Sequence, residues 1–199
     1  MTLSRALLPL ALALVAVGCA GDSGSAYERG VAAFTAGDMR TARVELLNAI
    51  QANPSDRRAR LLQARIQLAL GDGVAAEAEI MRAREQGVDA AQTRHLLAHA
   101  KLLQRDPRGA LDEAAQAPEE HEAYAARIRG RAFTAIGERA QAGAEFERAV
   151  ALAPDDSDSW GDLGRFRRDG GDVAGALAAA DRAVAGRPNN VEALVLRGA

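Results

Sequence analysis

A short element, glycine followed by an acid and then a small residue, returns along this chain at an almost fixed interval. It reads "GDMRTA" from Gly37, "GDGVAA" from Gly71, "RDPRGA" from Arg105, "GERAQA" from Gly137 and "GDVAGA" from Gly171, with offsets of 34, 34, 32 and 34 residues. Repetition at such a period restricts the chain to a stack of similar units, none of which can bury its apolar face without its neighbours. Helix-forming residues flank each element, as in "RARLLQARIQLAL" before Gly71 and "AAEAEIMRARE" after it. Glycine takes the left-handed conformation that ends the first helix, and the acid accepts hydrogen bonds from the free amides opening the second. The predicted unit is a helix hairpin and the predicted fold class is all-α, since no window of alternating β-branched residues is long enough for a sheet.

Small residues recur inside the hairpins as well. In the first helix one position is filled by Gly30, Ala64, Ala98, Gly130, Gly164 and Gly198; in the second, two positions hold Ala42 with Ala49, Ala76 with Ala83, Ala110 with Ala117, Ala142 with Ala149, and Ala176 with Ala183. Helices crossing at about 8–10 Å leave no room for more. Between the paired alanines stands a large residue, Leu46, Ile80 or Phe146, to fill the space between hairpins, while Ala114 and Ala180 predict weaker packing in units three and five. Pro54, Pro154 and Pro188 follow the second helices.

This pattern resembles the tetratricopeptide repeat. The resemblance implies an α-solenoid, a right-handed superhelix of five repeats plus the start of a sixth, with first helices lining a concave face. The units run about 23–56, 57–90, 91–122, 123–156 and 157–190, with a partial unit at 191–199. Trp160 falls where the repeat places an aromatic residue near the start of the first helix, which makes it core rather than ligand site. The third unit is two residues short around "QAPEEHEAY", predicting a change in stacking there. The chain stops at "VEALVLRGA", leaving Leu194, Val195 and Leu196 without a second helix to cover them. Stacks normally end in a polar cap, so the natural protein is expected to continue.

The amino terminus reads as an export signal. Arg5 is the only charge in the first 21 residues and precedes an apolar run, Ala6 to Val17, too short for the roughly 20 residues of a spanning helix. Its small residues lead into Cys19, the single cysteine. "AVGC" resembles the bacterial lipobox, which implies residues 1–18 as signal peptide, lipid attachment at Cys19 and a tether over 19–25 ahead of the array at 26–199. The alternative is an ordinary secretory signal with an incidental cysteine; a lone thiol has no disulfide to form in an oxidising compartment. Under the sorting rules of that resemblance Ala20 favours the outer membrane, so the expected location is the periplasmic face of the envelope.

A formal net charge of −2 and 4% aromatic residues make no case for a nucleic-acid surface. At about 100° per residue, helix positions 2, 5, 9 and 12 share the face that would line the groove. Position 9 gives Val31, Arg65, His99, Arg131 and Arg165, with His95, Arg127 and Arg168 on the same face. One reading is a basic ladder that attracts carboxylates of a peptide or of an acidic polysaccharide; the other is a solvated helix face paired with nearby acids. "HLLAH" has the one-turn spacing of two metal ligands, but without the glutamate of the metalloprotease motif and beside Arg127 and Arg131 it predicts no metal site. Nucleophile–base arrangements and phosphate loops are not suggested either, and Glu119–Glu120 and Asp155–Asp156 fall in turns. The expectation is a non-catalytic protein without cofactor. The carboxylate clamp of chaperone-binding repeats is not reproduced, because its groove asparagines are absent.

"ARVELLNAIQ" with "LGDGVAAEAEI", behind a lipoprotein signal, resembles the amino-terminal part of the tetratricopeptide lipoproteins of the exosortase and PEP-CTERM sorting system. That resemblance implies an envelope scaffold in exopolysaccharide production or export, or in protein sorting. The competing expectation is a peptide-binding lipoprotein that assists outer-membrane protein, pilus or secretin assembly.

Overall fold

The computed structural model describes residues 23–198; Cys19, the signal peptide and residues 19–22 of the tether lie outside them. Eleven α-helices occur among the described residues: α1 Ser23–Thr35, α2 Met39–Ala52, α3 Arg57–Ala69, α4 Gly73–Glu85, α5 Arg94–Leu103, α6 Pro107–Ala114, α7 Glu122–Ala135, α8 Arg139–Leu152, α9 Ser157–Asp169, α10 Val173–Gly186 and α11 Val191–Gly198. Residues 23–25, read above as tether, are the first turn of α1; Arg29 donates to Ser25 Oγ at 2.9 Å, and Ala26 is buried in the core, which ties that turn down.

Each odd-numbered helix from α1 to α9 packs antiparallel to the next helix through a tight turn, and each even-numbered helix packs on the odd one after it. Odd helices also touch successive odd helices, from α1·α3 to α9·α11, and so form the inner, concave side of the stack. The turns follow the predicted chemistry. Gly37, Gly71, Gly137 and Gly171 sit at φ of 80°, 80°, 83° and 83°. In the third unit Arg105 takes the same role at φ 64°. Asp38, Asp72, Asp106 and Asp172 each accept from the amide three residues on, capping the second helix, whereas Glu138 makes no such bond.

Core packing pairs the small residue of one helix with the large residue of the next. A Cβ on Gly30 would stand 2.9 Å from Leu46 Cγ, and one on Gly130 would stand 2.7 Å from the Phe146 ring. Leu46, Ile80 and Phe146 are buried accordingly. Ala114 and Ala180, where weaker packing was expected, are also fully buried, and Ile128 joins the cluster around Ala114. Ala117 departs from the pattern: α6 ends at Ala114, so Ala117 lies past the helix and only half-buried, and the 3-10 turn Glu119–His121 leads into α7. Gly198 is exposed.

Ion pairs clasp the hairpins, with Arg29 on Glu45 at 2.8 Å, Arg60 on Glu79 at 3.0 Å, Arg94 on Glu113 at 2.6 Å and Arg129 on Glu145 at 2.8 Å. Trp160 packs half-buried on the Phe146–Leu163 cluster and donates its Nε1–H to Pro154 O at 2.7 Å, as a core residue would. At the last helix the expectation needs correcting. Leu194 and Val195 are exposed, but Leu196 is buried, with a methyl close against Gly164 of α9. None of the described helices is long and apolar enough to cross a membrane.

Candidate partner-binding groove

Helices α1, α3, α5, α7 and α9 each present one side to a cavity of about 770 Å³. Its α1–α5 end is largely apolar, lined by Phe34, Leu68, Leu96 and Leu103; the middle carries Arg65, His95, His99, Tyr124, Arg127 and Arg131; the α9 end carries Asp158, Asp162 and Arg165. Six of the seven ladder residues therefore come together. Arg168 does not line the cavity; its exposed guanidinium turns to the neighbouring Asp169 at 3.0 Å.

His95 and His99 stand one turn apart on α5, both buried. The His95 ring lies 3.7 Å from the His121 ring and meets Tyr124 edge-on at 5.3 Å. Burial first, then His121 and Arg65, push His95 down to about 3; burial, then Arg131 and Arg127, do the same to His99. Both rings are neutral near pH 7. The tautomer of His99 follows from its partners. Arg131 Nη1 lies 3.3 Å from His99 Nε2, and a guanidinium has only donors, so Nε2 holds the lone pair. The ring proton is then on Nδ1, which donates to the Tyr124 hydroxyl oxygen at 2.6 Å. Burial raises the Tyr124 phenol, outweighing Arg127, Arg131 and Arg65, so it keeps its own proton.

Arg127 is buried on α7, stacked 4.9 Å over the Tyr124 ring and donating to Asp162 Oδ2 at 3.4 Å. Burial opposes its charge, but the Asp162 carboxylate and then Tyr124 prevail and hold its pKa above the usual arginine value. Asp162 also accepts from Arg165, one turn on along α9. The other acids of this end are engaged too: Asp156 caps α9 by accepting from Ser159 N, and Asp158 accepts from Arg187 at 2.9 Å. Arg131 is half-buried and lowered by burial, with Arg127 and Arg165 adding to that against Asp162.

The ladder is mixed: Arg65 and Arg168 are exposed, and Arg165 and Arg168 pair with neighbouring acids. Its histidines and Arg127 are buried, and α9 interleaves acids with the arginines. Tyr124 and Asp158 occupy position 2 of their helices, the same groove face, and reading that position down the array would have found them. Asp162, at position 6, and the Glu120–His121 turn carry no such periodic signal. His99 has both ring nitrogens engaged by Tyr124 and Arg131, and the described residues contain no cluster of three or more metal-ligating side chains.

Comparison with known proteins agrees with this architecture. Solved structures with the same fold include a thermophilic TPR protein of Thermus thermophilus, with 23% identity, a TM-score of 0.73, and coverage of 88% of this chain and 97% of that one. PilW, described as a widely conserved type IV pilus biogenesis factor, has 17% identity, a TM-score of 0.65, and coverage of 87% and 82%. YrrB, described as a TPR protein with an unusual peptide-binding site, has 16% identity, a TM-score of 0.51, and coverage of 89% and 93%. No curated protein matches the chain by sequence. The tetratricopeptide repeat model matches residues 25–90 and 129–191, and with the hairpin geometry this shows that the chain belongs to the tetratricopeptide repeat family.

Proposed function

We propose that this chain is a non-catalytic scaffold of the bacterial cell envelope that holds a protein partner by an extended segment laid in the concave groove. The observation that carries the reading is the cavity of about 770 Å³, which joins an apolar end to a hydrogen-bonding middle, as a peptide with mixed side chains requires. Proteins of this repeat family mediate protein–protein interactions, and the similar fold of YrrB is described with a peptide-binding site. The lipobox resemblance at Cys19 supports attachment by lipid to the periplasmic face, at the outer membrane.

For the pathway, the resemblance of "ARVELLNAIQ" and "LGDGVAAEAEI" supports exopolysaccharide production or export, or PEP-CTERM protein sorting. The fold shared with PilW favours a second reading, assistance to pilus or outer-membrane assembly. Co-purification with the full-length tagged protein from envelope membranes tests both. Polysaccharide synthesis, export or sorting components among the captured proteins support the first, and pilus, secretin or outer-membrane assembly proteins support the second. Loss of capture in an Arg65→Glu variant ties the partner to the groove; capture unaffected by that change moves the interaction to another face.

A further inference from the structure

We propose that the middle of the groove binds a carboxylate carried beside a bulky apolar side chain on the partner's segment, with Arg131, Arg65 and the Tyr124 hydroxyl as its donors. This rests on the groove being the partner site. The reason is an imbalance between donors and acceptors. Of the acids lining the cavity, Asp156, Asp158 and Asp162 are engaged by the α9 cap, by Arg187, and by Arg127 with Arg165, and Glu120 stands 3.6 Å from the ring of its neighbour His121. Neither Arg65 nor Arg131 has a carboxylate within ion-pair distance among the described residues. Arg131 spends one N–H on a neutral imidazole and keeps the rest of its fork.

The histidine tautomer adds a third donor. Because His99 Nδ1–H donates to the Tyr124 oxygen, the Tyr124 O–H is released to point elsewhere, and no acceptor holds it among the described residues. The half-buried Arg131 and Tyr124 donors, left without a carboxylate, cost free energy that an oxyanion recovers; Arg65 adds its charge from the exposed rim, and guanidinium with carboxylate is a favourable planar match. Arg65 stands one turn from Leu68 on α3, and Leu68 shares the cavity with Phe34 and Leu103. An acidic residue and an apolar neighbour can therefore be met together. That apolar half favours a peptide over an acidic polysaccharide, which has no side chain to place there.

The test is selection from a random peptide display library on the full chain, followed by anisotropy titration of the selected peptides. The expected sequences carry Asp, Glu or a free terminal carboxylate next to Leu, Met or Phe. Replacing the acid by its amide tests a side-chain source, and amidating the C-terminus tests a terminal source. One of the two lowers affinity by roughly tenfold or more, as do Arg131→Gln and Arg65→Gln in protein with unchanged circular dichroism. Arg65 is exposed, so its variant reports even where Arg131→Gln unfolds. Selected peptides indifferent to both carboxylate changes overturn this inference and leave the groove reading standing. Failure to select any peptide, or binding of an alginate oligomer in its place, overturns both.

Discussion

The Asp162 carboxylate lies 3.4 Å from the Arg127 guanidinium, and the two side chains are 4% and 10% exposed, one from α9 and one from α7. This contact crosses between hairpins, so it holds the fifth unit to the fourth at the groove floor. Asp162→Asn leaves Arg127 buried without its counter-charge and is expected to destabilise the chain by about 3 kcal/mol. The exposed Arg168–Asp169 pair is the control, since Asp169→Asn changes stability by less than about 0.5 kcal/mol. Urea midpoints of the two variants check the difference; equal shifts would mean that the buried pair adds no cohesion.

A second pair of substitutions separates close approach from open space on buried helical glycines. A Cβ at Gly130 meets the Phe146 ring at 2.7 Å, with the ring itself packed 5.3 Å from Phe166 and unable to retreat freely. Gly130→Ala is therefore expected to cost about 1–3 kcal/mol by overpacking. At Gly161 in α9 a Cβ meets nothing within 4 Å, so Gly161→Ala gains about 1 kcal/mol of helix propensity. Thermal unfolding should move in opposite directions for the two.

The fold was legible because its determinants are periodic. Gly30, Ala64, Gly130 and the alanine pairs announce close helix crossings, and the glycine–acid turns mark the hairpins. What escaped was local to one unit. Arg105 can adopt a positive φ although no composition rule marks it, Ala117 lost its helix when the third unit shortened, and Leu196 found cover on Gly164. The groove was half legible for the same reason. Arg65, His99, Arg131 and Arg165 share a helix position and could be lined up from the sequence, but the tautomer of His99 and the engagement of Asp162 depend on contacts between helices, which periodicity does not encode.

The turns offer a prediction about local chemistry. Arg105 occupies at φ 64° the place that glycine holds in four other units. A left-handed conformation costs a residue with a side chain about 1–2 kcal/mol, and glycine returns part of that as greater freedom of the unfolded chain. Arg105→Gly is expected to stabilise the chain by about 0.5–1 kcal/mol. Glu138→Asp should add a similar amount by capping α8 as Asp38 and Asp172 cap their helices. Chemical denaturation of both single variants and the double variant checks the gains, which should add because the sites lie in different hairpins.

The buried histidines set the response to acid. His95 and His99 are held down to about 3, below the ordinary value near 6.5, so between those limits the unfolded chain binds protons that the folded chain refuses. Stability contributed by their neutral form is whole above pH 6.5 and is lost as pH falls toward 3, by up to about 1.4 kcal/mol per pH unit for each ring. The loss from pH 7 to pH 5 reports chiefly on these rings, because the depressed carboxylates Asp38, Asp56 and Glu77 lose their contribution as pH falls through the usual carboxylate range and below it. His95→Gln and His99→Gln should each flatten the slope of unfolding free energy against pH over this interval, although they also lower stability at pH 7. His99→Gln additionally breaks the contact with Tyr124 and Arg131, so the slope, not the absolute stability, is the quantity to compare. An unchanged slope in both variants would mean that the rings take up protons in the folded chain, and that the α5–α7 wall opens to water in solution.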